Sequence, residues 1–415
     1  MVDIRPFKGY SYAPSSVSDL SSVVAPPYDV ITDQEREDFA SKSPLNFIHI
    51  TLPANYESGR SDPDFYEQAA SQWISFKTNH TVEQSDSPNI WCLKETYDKN
   101  DGQPVTRFGF ITELSLEGES DRFVLRHEKT HRAPQMDRMK LYEATRANLS
   151  PLFFIYQDDP NETKNFLEHF KTSESRRAEL DHHGKVSLEF SSMDDEVWIQ
   201  NFCQSFKDKY VLIADGHHRY EASRIFHKKN IDEAIDSSAV MAYIVPASSP
   251  GLIVHATHRA VHGLADFDET KFLKLLKDRF TFDSSQNGSH QIQVLTRAKG
   301  KFTITPNEQT LEHLKKQHNS PDFSVIILEE IVLREILGLS QSQKSSVGNL
   351  KYFQNSDSAF DSVNSGEWDA AFLLDPVPLN DLFSVTKSGG ILPQKSTYFY
   401  PKVATGLVVR SMERS

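Results

Sequence analysis

Apolar side chains along the chain alternate between the two-residue period of a strand and the three-to-four-residue period of a helix. Phe65, Ala69, Trp73 and Phe76 recur three or four apart and predict a helix from Asp64 to about Asn79. The runs Ile90 to Tyr97 and Thr106 to Leu114 flank Asp98-Lys99-Asn100-Asp101-Gly102 and predict a hairpin with a loop longer than two residues. Thr32 followed by Glu35 has the form of a capping box, so a helix is expected to about Lys42, stopped by Ser43-Pro44. Phe47-Ile48-His49-Ile50 reads as a strand. Further helices are expected from Gln135 to about Asn148, over 162–171 and from Asp194 to about Phe206, with short strands at Phe153 to Tyr156 and ending at Phe190.

The most informative stretch is Tyr210 to Lys228. Tyr210-Val211-Leu212-Ile213-Ala214 is an apolar strand candidate, Asp215-Gly216-His217-His218-Arg219 a tight loop, and Tyr220 to Lys228 a helix. Ala239 to Val245 adds another apolar strand. After Pro250 the pattern changes: strands at 251–255, 290–295, 301–304 and 324–328 alternate with helices at 268–278, 309–317 and 329–337. The polar run 340–347 reads as loop or linker, Ala370 to Leu374 as a strand. The fold class expected is α/β with α+β mixing. A core over 1–250, a smaller α+β lobe over 251–345 and a C-terminal segment over 346–415 that packs back on the core are expected.

Composition narrows the class. A chain of 415 residues with 27 Phe and 14 Tyr can bury a substantial core. Its formal charge of -13 disfavours binding along a nucleic-acid backbone, though a local basic pocket stays compatible with it. Two cysteines, Cys92 and Cys203, make neither a disulfide framework nor a zinc knuckle. The first residues carry charges and prolines where a signal peptide needs an apolar run, and no stretch is long enough for a membrane span. A cytoplasmic protein is expected, without nucleic acid or membrane as partner; a homodimer is compatible with the sequence.

The loop 215–219 is the leading candidate site. Gly216 lets the chain turn and lets a ligand approach the backbone. Residues 217–219 fall at a helix N-terminus, where amide hydrogens lack intrahelical partners and the dipole favours an anion. Arg219 can grip a phosphate through two parallel bonds, and His217 and His218 can donate as well. Asp215 can cap the turn, orient a histidine or hold a cation that bridges phosphates. A capped helix with ordinary surface histidines fits the same residues. The loop is neither a P-loop nor a dinucleotide fingerprint.

Other candidates are weighed against plain structural roles. Arg126-His127-Glu128-Lys129-Thr130 sets a carboxylate among cations; Glu128 can take a proton from a hydroxyl, with Arg126, Lys129, His131 or Arg132 balancing charge, or the run is a solvated loop. Pro26-Pro27 stiffens the approach to Asp29, a second candidate base that can equally cap local backbone. Lys395, with Ser396 and Thr397, can contact an anion, while Tyr398 to Tyr400 pack. His255, His258 and His262 lack the spacing of a zinc site, and no metal ligands are assigned.

Five stretches together resemble the DUF1015 family, whose members are uncharacterised. They are Ile4-Arg5-Pro6-Phe7, Ala25 to Val30, Arg126 to Thr130, Asp215 to Ala222, and Lys395 to Lys402, so the resemblance spans nearly the whole chain. The segment Asp215 to Ala222 also resembles the phosphate-binding box of the ParB and sulfiredoxin-like superfamily, which includes free-serine kinases. That resemblance implies a nucleotide-binding core with large insertions, in which Asp215, Gly216, His217, His218 and Arg219 hold nucleotide phosphates. It implies ATP or ADP with Mg²⁺ as cofactors and a small hydroxyl compound, such as L-serine, as phosphoryl acceptor. Glu128, Asp29 and His218 are then the expected catalytic residues, with Arg126 and Lys395 as further ligand contacts. Sulfiredoxin chemistry is disfavoured because the loop has no cysteine. A nucleotide-binding regulatory protein, or a hydrolase of a phosphorylated metabolite, uses the same anion grip.

Overall fold

The computed structural model describes residues 1–53, 63–99, 102–118, 120–130, 132–171, 173–231, 235–264, 267–283, 290–318, 322–340 and 349–414. Residue His131, most of the polar run 340–347 and the expected boundary at 345/346 lie outside them. The chain divides into two compact units: the first is 1–126, 130–253 and 401–415, the second 127–129 and 254–400.

The first unit is built on a mixed sheet. Its strand order is Val124–Leu125, Val211–Asp215, Leu152–Tyr156, Ala239–Pro246, Pro104–Ser115, Ile90–Asp98, Lys185–Met193 and Ser175–Asp181, with Ile4–Arg5 also on Pro104–Ser115. Two of these pairings are parallel, Val211–Asp215 with Val124–Leu125 and Ala239–Pro246 with Leu152–Tyr156; the other neighbours run antiparallel. The strand Ala239–Pro246 is buried throughout, which is why its sequence is continuously apolar rather than alternating. Phe110, Phe170, Trp198 and Phe202 pack as aromatic pairs beneath the sheet, the Trp198 and Phe202 rings stacked 5.0 Å apart. A smaller core joins Met139 and Tyr142 of the helix Arg132–Thr145 to Ala222 and Phe226 of the helix His217–Lys229.

The second unit carries a six-stranded antiparallel sheet ordered Phe280–Asp283, Gly300–Pro306, Ile292–Thr296, Ala370–Leu373, His258–Val261 and Leu350–Phe353. The expected mixture of α/β and α+β character is therefore borne out. Among the described residues no helix is long and apolar enough to cross a membrane.

Local expectations hold where a sequence feature has its own physical cause. The hairpin Ile90–Asp98 with Pro104–Ser115 forms. The capping box forms too: Thr32 N donates to Glu35 Oε2 at 2.8 Å and Glu35 N donates to Thr32 Oγ1 at 3.3 Å. Two expected strands are helical instead. Ile48–Thr51 is a helical turn because the Asn46 side chain accepts from Ile48 N at 2.9 Å while donating to the carbonyls of Ser22 and Val24. Ser324–Ile327 begins a helix that continues as a π-helix over Leu328–Ile336, with Val325 to Leu328 and Ile331 to Leu333 all buried. A short apolar run reads the same as a buried strand or a buried helix, so periodicity alone could not separate them.

Candidate functional site

The strand Val211–Asp215 ends where Gly216 turns into the helix His217–Lys229. Gly216 has φ 96°, a left-handed conformation that a Cβ disfavours, and a Cβ built there would stand 3.1–3.2 Å from the Arg219 guanidinium. The N-cap residue is Gly216 itself, which has no side chain to cap the helix. The first intrahelical bond runs from Tyr220 N to Gly216 O at 2.8 Å, so the amides before it have no carbonyl within the helix. His217 and His218 occupy the first turn, His217 buried and His218 half-buried.

Arg219 points inward. Its Nη2 donates to Asp215 Oδ2 at 2.7 Å, and its Nη1 donates to Ser150 Oγ and to the carbonyl of Pro151, each at 2.9 Å. Lys402 pairs with the other oxygen of Asp215. Desolvation pulls the guanidinium down, but Asp215, supported by Asp29, Tyr28 and Tyr142, outweighs it and the net shift is upward. The sequence expectation aimed this guanidinium at a phosphate. In the structure a buried cation has taken the nearest carboxylate, because an unpaired charge away from water is costly. Arg219 therefore braces the loop from behind.

A small cavity beside the loop is lined by Tyr28, Arg138, Tyr142, Ser150, Arg219 and Thr405 among others. Arg138 lies over the Tyr28 ring, 3.7 Å from its centroid, and donates through Nε to Asp137 at 2.7 Å. Tyr66 donates to the other oxygen of Asp137 at 2.8 Å. Asp29, next to Tyr28, is exposed and close enough to Arg219 to act on its charge. Two stretches 190 residues apart, around Tyr28-Asp29 and around Arg219, thus share one neighbourhood, which sequence spacing does not reveal. Arg138, Ser150 and Lys402 were not singled out from sequence as site residues. Arg138 lies among the buried Met139, Leu141 and Tyr142 of an amphipathic helix, and a guanidinium among them was the available clue.

Arg126 is engaged elsewhere in the first unit. It pairs with Asp121, which also takes Arg224 Nη2 at 2.8 Å and the Tyr220 hydroxyl at 2.9 Å. Burial raises the Asp121 carboxyl, but its hydrogen bonds and the two arginines outweigh this and hold it below the ordinary range. Glu128 and Lys395 belong to the second unit. There Leu392 N donates to His127 O at 2.7 Å, Glu128 bridges to Leu392, and His127 Nε2 lies 2.9 Å from Thr397 Oγ1. Glu128 also acts on Arg259, a fully buried guanidinium that donates to the carbonyls of Thr257, Gln394 and Lys395 at 2.6, 3.3 and 3.2 Å. Lys395 is exposed, with φ 54°.

The family described as "Protein of unknown function (DUF1015)" matches residues 4–327. A comparison with curated proteins finds no match. Among solved structures, a free serine kinase in complex with AMP is 12% identical, covering 70% of this chain and 86% of that one at a TM-score of 0.36. SbnI with a C-terminal truncation, from Staphylococcus aureus, is 10% identical, with 70% and 82% covered and a TM-score of 0.38. A conserved hypothetical protein from Pyrococcus furiosus is 14% identical, with 70% and 90% covered and a TM-score of 0.33. Scores of this size relate the chain paths only loosely.

Proposed function

The chain belongs to the DUF1015 family, and we propose that it binds a nucleotide through its phosphates at the start of the helix His217–Lys229 and transfers a phosphoryl group to the hydroxyl of a small metabolite. The carrying observation is the tight turn at Gly216, where the backbone opens onto a helix N-terminus whose N-cap residue is a glycine and is braced by Arg219, Asp215 and Lys402. Amide hydrogens and the helix dipole supply the attraction for phosphate, with His217 and His218 as the side chains of the first turn. Arg219 contributes by fixing the loop, not by leaving its own bonds. Preorganisation of this kind lowers the ordering cost of binding.

Asp29 is the favoured base, because it is an exposed carboxylate of the same unit as the loop and acts on Arg219. Glu128 is the alternative. Mg²⁺ would travel with the nucleotide phosphates. Asp215 fits it poorly as a ligand, since both its oxygens are already paired, which leaves Asp29 as the more suitable carboxylate. A free amino acid such as L-serine is the acceptor to test first.

The test is calorimetric titration of the full chain with ATP, ADP and CTP, with and without Mg²⁺, followed by mass spectrometry of reactions containing pooled amino acids. Saturable nucleotide binding is expected, with a phosphorylated product that Asp29→Asn reduces and Glu128→Gln does not. Loss of product only in Glu128→Gln would move the base to Glu128. Absence of saturable binding by any of the three nucleotides would end the proposal. Tight binding without product would leave a nucleotide-binding regulatory protein, a reading favoured by the mutual neutralisation of Arg219 and Asp215.

A further inference from the structure

The described residues contain one cluster of imidazole and carboxylate groups that the proposed reaction does not use: Glu35, His182 and His183. Glu35 sits in the first turn of the helix Asp33–Lys42. The histidines form the tip of the hairpin between Ser175–Asp181 and Lys185–Met193, where His183 has φ 55° and Gly184 φ 132°. Both elements belong to the first unit.

The geometry is that of ligands gathered around one point. Glu35 Oε2 accepts from Thr32 N at 2.8 Å and from Thr32 Oγ1 at 2.7 Å, which fixes the carboxylate. Its Oε1 faces both rings, 3.2 Å from His183 Nε2 and 3.4 Å from His182 Nε2. Ligands bound tetrahedrally to zinc at about 2.0–2.1 Å stand about 3.3 Å from one another. The three ligand atoms all lie within 4.8 Å of each other. The His182 side chain is only 10% exposed, yet its buried Nε2 has no hydrogen-bond partner. A buried imidazole nitrogen left without a hydrogen bond is the kind of donor a metal ion takes up.

We propose that Glu35, His182 and His183 form a zinc-type site for one divalent transition-metal ion, with a fourth position for water. A simple ion pair explains the arrangement less well, because it leaves the buried Nε2 of His182 without a hydrogen bond. The ion would clip the hairpin tip to the helix start.

The test uses untagged full-length protein stripped with chelator and titrated with Zn²⁺ against a chromophoric competitor, and with Co²⁺ followed by its visible absorption. Glu35→Gln keeps the capping box, and His183→Asn tolerates the left-handed turn, so both variants are expected to fold. The wild type should bind about one ion per chain, and each variant should weaken Zn²⁺ by more than about tenfold, at least as much as loss of a supporting partner does. Zn²⁺ should raise the thermal midpoint of the wild type and not of His183→Asn. No saturable binding by the wild type, or variants that bind Zn²⁺ as tightly as the wild type, would overturn the assignment. Nucleotide is absent from the experiment, so its outcome is independent of the proposed reaction.

Discussion

Arg219 in the first unit and Arg259 in the second are both buried, yet their charges are handled differently. Arg219 has a carboxylate at 2.7 Å, and its guanidinium is shifted upward despite desolvation. Arg259 donates to three carbonyls, its Nε is without a hydrogen-bond partner, and desolvation outweighs Tyr352, Glu329 and Glu128, so its shift is downward. Burial alone does not decide how firmly a guanidinium is held. The identity of the acceptor does, because a carboxylate supplies charge as well as a lone pair.

The sharpest way to break this contrast is Asp215→Ala. It leaves the buried Arg219 and the half-buried Lys402 without their shared carboxylate and should lower stability by about 3–5 kcal/mol in urea denaturation. Arg259→Met removes a cation whose hydrogen bonds go to carbonyls and strips a donor from three of them; about 1–3 kcal/mol is expected, less than for Asp215→Ala. Equal losses in the two variants would mean that the carboxylate adds nothing. Gly216→Ala should cost about 1–2 kcal/mol through its left-handed φ alone, and it also presses a methyl against the Arg219 guanidinium. If nucleotide affinity is measured on that variant, it should fall with the disturbed loop; unchanged affinity would separate binding from the turn.

The smallest effect concerns pH, and it tests a third arginine cluster. Asp121 is partly exposed and serves Arg126 and Arg224 together. Its folded carboxyl titrates below the unfolded one, so the folded state binds fewer protons as both titrate. The stabilisation is complete above the ordinary carboxylate range near pH 4 and is lost as the pH falls towards the folded value. Asp121→Asn should flatten the acid limb of the stability curve measured between about pH 5 and pH 2. An unchanged acid limb would assign that limb to other carboxylates.

The comparison also shows which parts of the site could be read in advance. Strand, turn and helix at 211–229 were legible because each has a local cause: an apolar run, a glycine with positive φ and a following helical segment. The Thr32 to Glu35 capping box was legible for the same reason. The direction of Arg219 was not, since a long flexible side chain four residues from an aspartate can face a ligand or fold back. Arg138 and Lys402 were hidden more deeply. Arg138 reaches Tyr28 across 110 residues and Lys402 reaches Asp215 across 187, and neither separation leaves a pattern in the chain. The metal ligands were missed likewise: Glu35 and the 182–183 pair have no zinc spacing, and only the meeting of a hairpin tip with a helix start unites them.

By itself the sequence determined the family, the mixed α/β character and the loop at which an anion is expected, because periodicity, turn residues and short motifs are local properties. Tertiary structure alone decided which carboxylate each buried cation would take, whether the apolar runs at 47–50 and 324–328 became strands or helices, and which distant side chains share a cavity. Those outcomes depend on desolvation and on the shape left by packing, and both exist only once segments far apart in the chain have come together.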